Sequence, residues 1–171
     1  MKIVADHWFF RPFTPIGHVE LEIPNRVAHR MQRIAQSAFP KETGGLVLGW
    51  WEGKIPIIHC IVEVADPVAG PTRWQRNERA ASLVLKESLF KARVAHLGYI
   101  GDWHSHPENV GPSATDIASL RRVSRQYPQA VVLLVLREGG FIDTRLAKRG
   151  LLTTPHRLDT SKLSLNPVKR S

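Results

Sequence analysis

The sequence predicts an α/β domain, a sandwich in which helices cover the faces of one mixed sheet. Strand-like segments, either apolar or alternating between apolar and polar residues, cover 19–23, 45–51, 55–64, 99–106, 130–136 and 141–146. Helix-like segments, with apolar residues recurring at three and four positions, cover 26–38, 78–97 and 113–125. Because helices separate strands along the chain, the two kinds of element are expected to pack as layers.

The first helix and the hairpin that follows it have clear sequence boundaries. Its apolar residues Val27, Met31, Ile34 and Ala35 share one face, which should be buried, and Pro40 should end the helix. The next two strands are separated only by Glu52-Gly53, which is typical of a β-hairpin.

The second helix follows a loop rich in proline and glycine that carries Trp74. We expect Leu83, Leu89 and Phe90 to line its buried side, together with residues near its end, and Gly98 to lie just beyond that end.

The last two strands should differ in position within the sheet. The run 130–136 is entirely apolar and rich in β-branched residues, which favours a central strand, whereas 141–146 is predicted as an edge strand. The pattern ends near Thr153. We therefore expect one domain over 1–153 and a loosely held basic tail over 154–171.

The net charge of +9 is concentrated at the C-terminal end. From Arg145 to Ser171 there are seven basic residues and one acid, which is +6 of that total. A basic tail can bind nucleic acid or an acidic protein surface. No nucleic-acid-binding motif accompanies it, so we expect a solvated terminus rather than a nucleic-acid partner.

Composition indicates a soluble globular protein of the cytoplasm. The hydrophobic fraction is 43% and the charged fraction 23%, and no apolar run is long enough to cross a membrane. Residues 1–13 do not resemble a signal peptide, and the single cysteine, Cys60, excludes an internal disulfide framework. We expect a cytoplasmic protein without a membrane partner.

The segment from Gly101 to Pro107 carries the strongest chemical signal. Alternate residues of a strand point to the same face, so His104 and His106 should project together and could share one metal ion. Asp116 follows ten residues later and would lie in the first turn of the third helix if Ser113 begins it. Three protein ligands with a fourth position for water are typical of a catalytic zinc site, with one ion per chain.

The same residue types also fit structural roles and other enzyme classes. Ser113 and Asp116 also fit a helix capping box, and a zinc-bound carboxylate could not cap well with the same oxygen. The remaining histidines are expected to be packed or solvated. Cys60 and His59 would face opposite ways on a strand, which disfavours a thiol protease, and a zinc deaminase would need a second cysteine.

Two separated motifs resemble those of the JAB/MPN-domain (JAMM) zinc metallopeptidases. His104-Ser105-His106-Pro107 followed by Pro112-Ser113-x-x-Asp116 resembles the zinc-binding signature, and the segment Glu42 to Gly49 resembles the first motif, a glutamate before a Gly-Gly strand. The resemblance runs from about Glu42 to Leu136, with the elements in the expected order. It differs in having six residues rather than seven between His106 and Ser113, so Gly111 should absorb a tighter loop.

The resemblance implies a cytidine-deaminase-like α/β sandwich and hydrolysis of peptide or isopeptide bonds after ubiquitin or ubiquitin-like proteins. It implies zinc ligands at His104, His106 and Asp116. It also implies that Glu42 takes a proton from water and passes it to the leaving amine, while Ser113 helps to hold the oxyanion.

The surrounding sequence looks most like the compact bacterial branch of the family, which accompanies ubiquitin-like conjugation systems, including anti-phage operons. The implied partners are a ubiquitin-like protein or its conjugate, with E1- and E2-like enzymes of the same system. Residues 67–74 and 108–112 are the candidate recognition segments. Two alternatives stay open: a peptidase that processes a sulfur-carrier or peptide precursor, and a non-catalytic MPN-type scaffold.

Overall fold

The computed structural model describes residues 21–153 as three helices packed on a six-stranded sheet. In chain order the elements are α1 (Asn25–Ala38), β1 (Gly44–Glu52), β2 (Ile55–Glu63), α2 (Glu78–Ala92), β3 (Gly98–Ser105), α3 (Ala114–Ser124), β4 (Val131–Leu136), a short 3-10 turn (Glu138–Gly140), β5 (Ile142–Lys148) and β6 (Leu151–Thr153). No helix within these residues has the length and apolar character needed to cross a membrane.

The sheet is mixed, as predicted, with strand order β2-β1-β3-β4-β5-β6. Only β3 and β4 are parallel, and α3 forms the crossover between them; all other neighbours are antiparallel. The β4 run is buried along its whole length, which confirms its central position. The prediction that residues 141–146 form an edge strand is wrong, because β6 pairs with the outer side of β5.

Helices cover both faces of the sheet. On one face α1 contributes Val27 and Met31 to a core that includes Trp103 and Leu134. On the opposite face α3 packs over β4 through Leu120 and Val123, and α2 lies over β1 and β2. Ile34 and Ala35 pack against the α1 core, so the predicted buried face of α1 is confirmed.

The prediction for α2 is wrong in two respects. The helix ends at Ala92, with Arg93 in the left-handed conformation, and does not continue to residue 97. Leu83 is 61% exposed and Phe90 88% exposed, and Leu89 also lies on the solvent side. The sheet instead receives a neighbouring stripe of apolar side chains: Ala80, Ala81, Val84 and Leu85.

The strand predicted at 19–23 lies partly outside the described residues. Within them, residues 21–24 have no regular secondary structure, although Leu21 is buried in the α1 core. The predicted basic tail over 154–171 also lies outside the described residues.

Candidate metal centre

The end of β3 brings two histidines into a buried position on the α2/α3 face of the sheet. His104 lies in the strand and His106 directly follows it, with 5% and 7% of their surfaces exposed. Their Nε2 atoms lie 3.0 Å apart. The period-two alternation of a strand therefore produces the shared projection that the sequence predicted.

Asp116 completes a cluster of three possible metal ligands. One carboxylate oxygen, Oδ1, lies 3.4 Å from Nε2 of His104, and the other, Oδ2, lies 3.6 Å from Nε2 of His106. One nitrogen or oxygen atom from each residue can be chosen so that all three lie within 4.8 Å of one another. The loop before α3 is short enough to hold the first turn of the helix against the end of β3.

The donor set fits a tetrahedral zinc ion. Ligand atoms at the usual zinc distances and tetrahedral angles are separated by about 3.3 Å. The 3.0 Å between the two Nε2 atoms and the 3.4 Å between His104 Nε2 and Asp116 Oδ1 are close to that value. Nδ1 of His106 lies 2.9 Å from the carbonyl oxygen of Val110. Because a carbonyl can only accept a hydrogen bond, Nδ1 carries a proton, and Nε2 is the ring nitrogen that faces the cluster and would ligate a metal.

The capping and metal-binding interpretations of Asp116 are compatible in this geometry. Ser113 caps α3 by accepting from the Asp116 N–H, and Oδ2 of Asp116 accepts from the Ser113 N–H at 2.6 Å. Oδ1 is the oxygen that faces His104. The carboxylate can therefore cap the helix with one oxygen and face a metal with the other.

Glu42 lies beside this cluster, at the residue before the Thr43-Gly44 entry into β1. It is 9% exposed, and its Oε1 is 3.9 Å from Nε2 of His106. The antiparallel pairing of β1 with β3 places Gly44 opposite His104, which brings Glu42 to the end of β3 that carries the two histidines. Adjacent Thr43 fixes this register, since its N–H donates to Ser105 Oγ at 3.1 Å and its carbonyl accepts from the Ser105 N–H.

The electrostatics of the cluster suit proton transfer and cation binding. Burial raises the pKa of Glu42, although the nearby histidines oppose the effect, which favours a carboxylate that can both take and release a proton. Burial alone would raise the pKa of Asp116, but hydrogen bonds from His104 and His106 outweigh it and hold that pKa well below its ordinary value. Asp116 is therefore ionised and can ligate a cation.

The structure brings together four of the five predicted site residues directly, and places the fifth at the rim. Ser113 is exposed at the start of α3, where its hydroxyl accepts the capping hydrogen bond. That bond leaves the hydroxyl proton free to donate. The shortened loop is closed by the His106–Val110 hydrogen bond, while Gly111 makes room for Asp143, whose Oδ2 would lie 3.2 Å from an added Cβ.

Sequence reasoning missed part of the surroundings of the cluster. Trp74, which the sequence placed only in a loop and a candidate recognition segment, is half-buried and stacks on His104, with ring centroids 6.2 Å apart and planes inclined by 16°. Asp102 lies two residues before His104, and strand alternation alone would have placed it on the same face. Its partner Arg76 had no such signal, because the ion pair joins residues far apart in the chain.

Comparison with known proteins decides the family. The model for "Prokaryotic homologs of the JAB domain" matches residues 24–145, most of the chain and all of the cluster. The chain belongs to this JAB-domain family. It is a bacterial JAB/MPN metallopeptidase, and its activity is that of a peptidase or isopeptidase, a hydrolase.

Curated relatives of this JAB-domain chain carry peptidase names. It is 28% identical over 127 residues to a probable metalloprotease of Sinorhizobium fredii, covering 66% of this chain and 73% of the relative. It is 29% identical over 126 residues to a CD-NTase/cGAS isopeptidase of Vibrio cholerae, covering 70% and 76%. A second protein of that name, from Enterobacter hormaechei, is 31% identical over 87 residues, and the match spans 46% of its length and 48% of this chain.

A solved structure supports the JAB-domain fold. The solution structure of a Desulfitobacterium hafniense protein superimposes with a TM-score of 0.58 over 78% of this chain and 87% of that one, at 19% identity. The likeness concerns the fold alone.

Proposed function

We propose that this chain is a zinc-dependent isopeptidase that hydrolyses the amide bond after the C-terminus of a ubiquitin-like protein, removing it from a target in a bacterial conjugation system such as an anti-phage operon. The observation that carries the proposal is the buried cluster of His104, His106 and Asp116 with the Glu42 carboxylate 3.9 Å from His106. The isopeptidase names of two relatives support the isopeptide bond as the substrate.

The proposed roles follow from the positions of the side chains. His104, His106 and Asp116 would hold the zinc ion, which when bound supplies Lewis acidity that activates water and polarises the scissile carbonyl. Glu42 accepts a proton from the attacking water and delivers it to the leaving nitrogen. The raised pKa of Glu42 suits both halves of that transfer. A carboxyl group of higher pKa accepts the proton from water more readily and holds it until the amine leaves.

Ser113 would act at the rim of the cluster. Its hydroxyl oxygen already accepts from the Asp116 N–H at 3.2 Å, so the hydroxyl proton can donate to the oxyanion that develops on the substrate carbonyl. The helix cap fixes the position of that oxygen before substrate arrives. This preorganisation lowers the reorganisation needed in the transition state.

The test begins with metal content and substrate cleavage. Purified protein is analysed for bound zinc, then incubated with a fusion of a ubiquitin-like protein from the same source, with and without chelator. One equivalent of zinc and chelator-sensitive cleavage after the C-terminus of the modifier are expected. Metal-replete protein that holds no zinc would overturn the proposed metal centre.

The role of Glu42 is tested by the substitution Glu42→Gln. This variant keeps the side-chain volume and leaves all three proposed ligands in place, so it should retain zinc while turnover falls by about 10²–10⁴-fold or more. Glu52→Gln makes the same change at the exposed far end of β1 and should leave both zinc content and turnover unchanged. Near-full activity of Glu42→Gln would show that another group moves the proton.

The two alternatives predict different outcomes of the same experiments. A processing peptidase would cleave a sulfur-carrier or peptide precursor but leave an isopeptide-linked conjugate intact. A non-catalytic scaffold would bind the modifier without cleaving either substrate. The filled set of His104, His106, Asp116 and Glu42 favours catalysis over the scaffold.

A further inference from the structure

One loop touches both the proposed proton carrier and a proposed zinc ligand. Residues 66–76, called here the site loop, connect the end of β2 to α2. The Gly70 carbonyl accepts from the Glu42 N–H at 2.8 Å, and the Trp74 backbone lies close enough to the Glu42 carboxylate to oppose the rise in its pKa. The Trp74 ring stacks on the His104 ring, and its Nε1–H donates to the Val64 carbonyl at 3.4 Å. The position of Trp74 therefore affects both Glu42 and His104.

The close seating of Trp74 depends on a glycine. A Cβ added to Gly44 would lie 2.9 Å from Cδ2 of Trp74, 2.8 Å from Cβ of His104 and 2.5 Å from the carbonyl oxygen of Trp103. No real side chain fits within those separations. Gly44 therefore lets the indole reach the imidazole across the end of β1.

The two ends of the site loop are held by carboxylates. At its start, the Asp66 carboxylate accepts from the Val68 N–H at 3.0 Å and the Gln75 N–H at 2.9 Å. At its end, one nitrogen of Arg76, Nη1, lies 2.7 and 2.9 Å from the two oxygens of Asp102. The loop is thus fixed on both sides of Trp74, and its backbone needs no further support from substrate to keep this shape.

The Arg76–Asp102 ion pair is largely shielded from water. The two side chains are 13% and 19% exposed, and the Tyr99 hydroxyl both accepts from Arg76 at 3.1 Å and donates to Asp102 at 3.0 Å. A shielded ion pair gains little net stability, because desolvation of both charges offsets their attraction. Its geometry is nevertheless strict, since it has hydrogen-bond partners on several sides.

Asp102 also shares a strand with the proposed zinc ligands. Asp102 lies two residues before His104 in β3, and β3 is paired with β1 on one edge and with β4 on the other. Arg76 therefore ties the site loop directly to the strand that carries His104. The chain of contacts runs from Asp102 through Arg76 to Trp74, and from Trp74 to His104 and Glu42.

We propose that Arg76 and Asp102 are positioning residues for the metal centre, which they serve by locking the site loop so that Trp74 holds the His104 ring and the Glu42 carboxylate in place. The inference rests on the proposed function for its kinetic part. Its structural part concerns zinc affinity and can be measured whether or not a substrate is known.

The test compares zinc affinity and kinetics in variants of similar volume. The fold should persist in both single variants. Asp102→Asn removes the ion pair, and Arg76→Lys removes the hydrogen bonds of the guanidinium group. Zinc affinity, measured by competition with a chromogenic chelator, should weaken by about 10–100-fold, and kcat on the fusion substrate should fall while KM is unchanged. A double variant, Asp102→Asn with Arg76→Lys, should lose no more than either single change, because the two residues act as a unit.

Trp74 supplies the rescue comparison. Trp74→Phe retains an aromatic ring over His104 and should keep most of the zinc affinity, whereas Trp74→Ala should lose it to the same extent as Asp102→Asn. Glu87→Gln removes one charge of the exposed Glu87–Lys91 pair on α2 and serves as the matched control, with unchanged affinity and kcat.

The outcomes separate this inference from the proposed function. Wild-type zinc affinity and kcat in correctly folded Asp102→Asn and Arg76→Lys would overturn the positioning role, whatever the substrate is. A lowered thermal midpoint with unchanged zinc affinity and kcat would overturn it as well, by showing a purely structural pair. Failure of the wild-type chain to cleave the fusion would count against the proposed function only, because the chelator competition would still report on the site loop.

Discussion

At the residue scale, single atoms decide what Asp116 can do. Its two carboxylate oxygens have different surroundings: Oδ2 accepts from the Ser113 N–H at 2.6 Å and lies 3.6 Å from Nε2 of His106, whereas Oδ1 lies 3.4 Å from Nε2 of His104. Sequence spacing could place the carboxylate in the first turn of α3, but it could not divide the oxygens. That division depends on the rotation of one side chain, which only the neighbouring elements fix.

Two substitutions of Asp116 should separate its roles. Asp116→Asn keeps an oxygen that can cap the helix, so we expect weakened zinc binding with a nearly unchanged thermal midpoint. Asp116→Ala removes the capping oxygen as well and should also cost about 0.5–2 kcal/mol of stability. Zinc titration and thermal unfolding measure the two effects. Equal zinc affinity in Asp116→Asn and wild type would exclude Asp116 as a ligand.

Cys60 gives a prediction that depends on pH. The thiol is half-buried in β2, and burial raises its pKa, although nearby Arg30 and Arg26 oppose the effect. Only the thiolate reacts, so alkylation by iodoacetamide should be slower than for a free thiol at pH 8 and should still be increasing above pH 9. The rate is followed by mass spectrometry against glutathione. A rate that levels off at or below the pH found for glutathione would contradict the raised pKa.

At the element scale, the two glycines at the start of β1 allow the neighbouring strands β2 and β3 to pack closely against it. Gly45 pairs with Glu63 of β2, and a Cβ added to it would lie 1.9 Å from the carbonyl oxygen of the adjacent Val62. The same strand pairs Gly44 with His104 of β3. The Gly-Gly pair that the sequence offered as a family motif therefore has a physical cause, which is the lack of space for side chains where three strands meet.

Gly45→Ala should consequently weaken the sheet. The added methyl group overlaps backbone that cannot move without breaking strand pairing, so we expect a loss of about 2 kcal/mol or more in the free energy of unfolding. Gly98→Ala is the control, since a Cβ there meets no atom within 4 Å, and its effect should be within about 0.5 kcal/mol. Denaturant unfolding compares the two. Equal free energies of unfolding for Gly45→Ala and Gly98→Ala would mean that β1 and β2 can move apart to accommodate the methyl group without loss of stability.

At the scale of the whole molecule, the candidate metal centre lies where three separate parts of the chain meet. The residue before β1 supplies Glu42, the end of β3 supplies the histidines, and the first turn of α3 supplies Asp116. The parallel pairing of β3 with β4 requires a crossover, and α3 is that crossover. The first turn of α3 therefore begins beside the end of β3, where the Asp116 carboxylate lies next to the two imidazoles.

Truncation after Thr153 tests whether this unit is sufficient. All proposed site residues lie well before that position, so we expect the shortened chain to keep its zinc and its cleavage activity. The segment removed carries Arg157, Lys162, Lys169 and Arg170 against one acid, Asp159. Its loss should therefore affect only binding to acidic partners. Loss of DNA or RNA binding with intact cleavage would reveal a nucleic-acid role for the tail, and loss of cleavage would contradict the predicted domain boundary.

Three features could be predicted from the amino-acid sequence alone: the strands and helices that carry the site, the shared projection of His104 and His106, and the family to which the chain belongs. These depend on local periodicity and on motifs, which a sequence displays directly. The buried side of α2 could not be predicted in this way, because that helix has two overlapping apolar stripes. Only the surface of β1 and β2 beneath the helix decides that Ala81 and Val84 are buried while Leu83 and Phe90 are exposed. Nor could the sequence show the link from Asp102 through Arg76 to Trp74, or the 3.9 Å approach of Glu42 to His106. Those contacts join residues distant in the chain, so only the packing and register of the tertiary structure decide them.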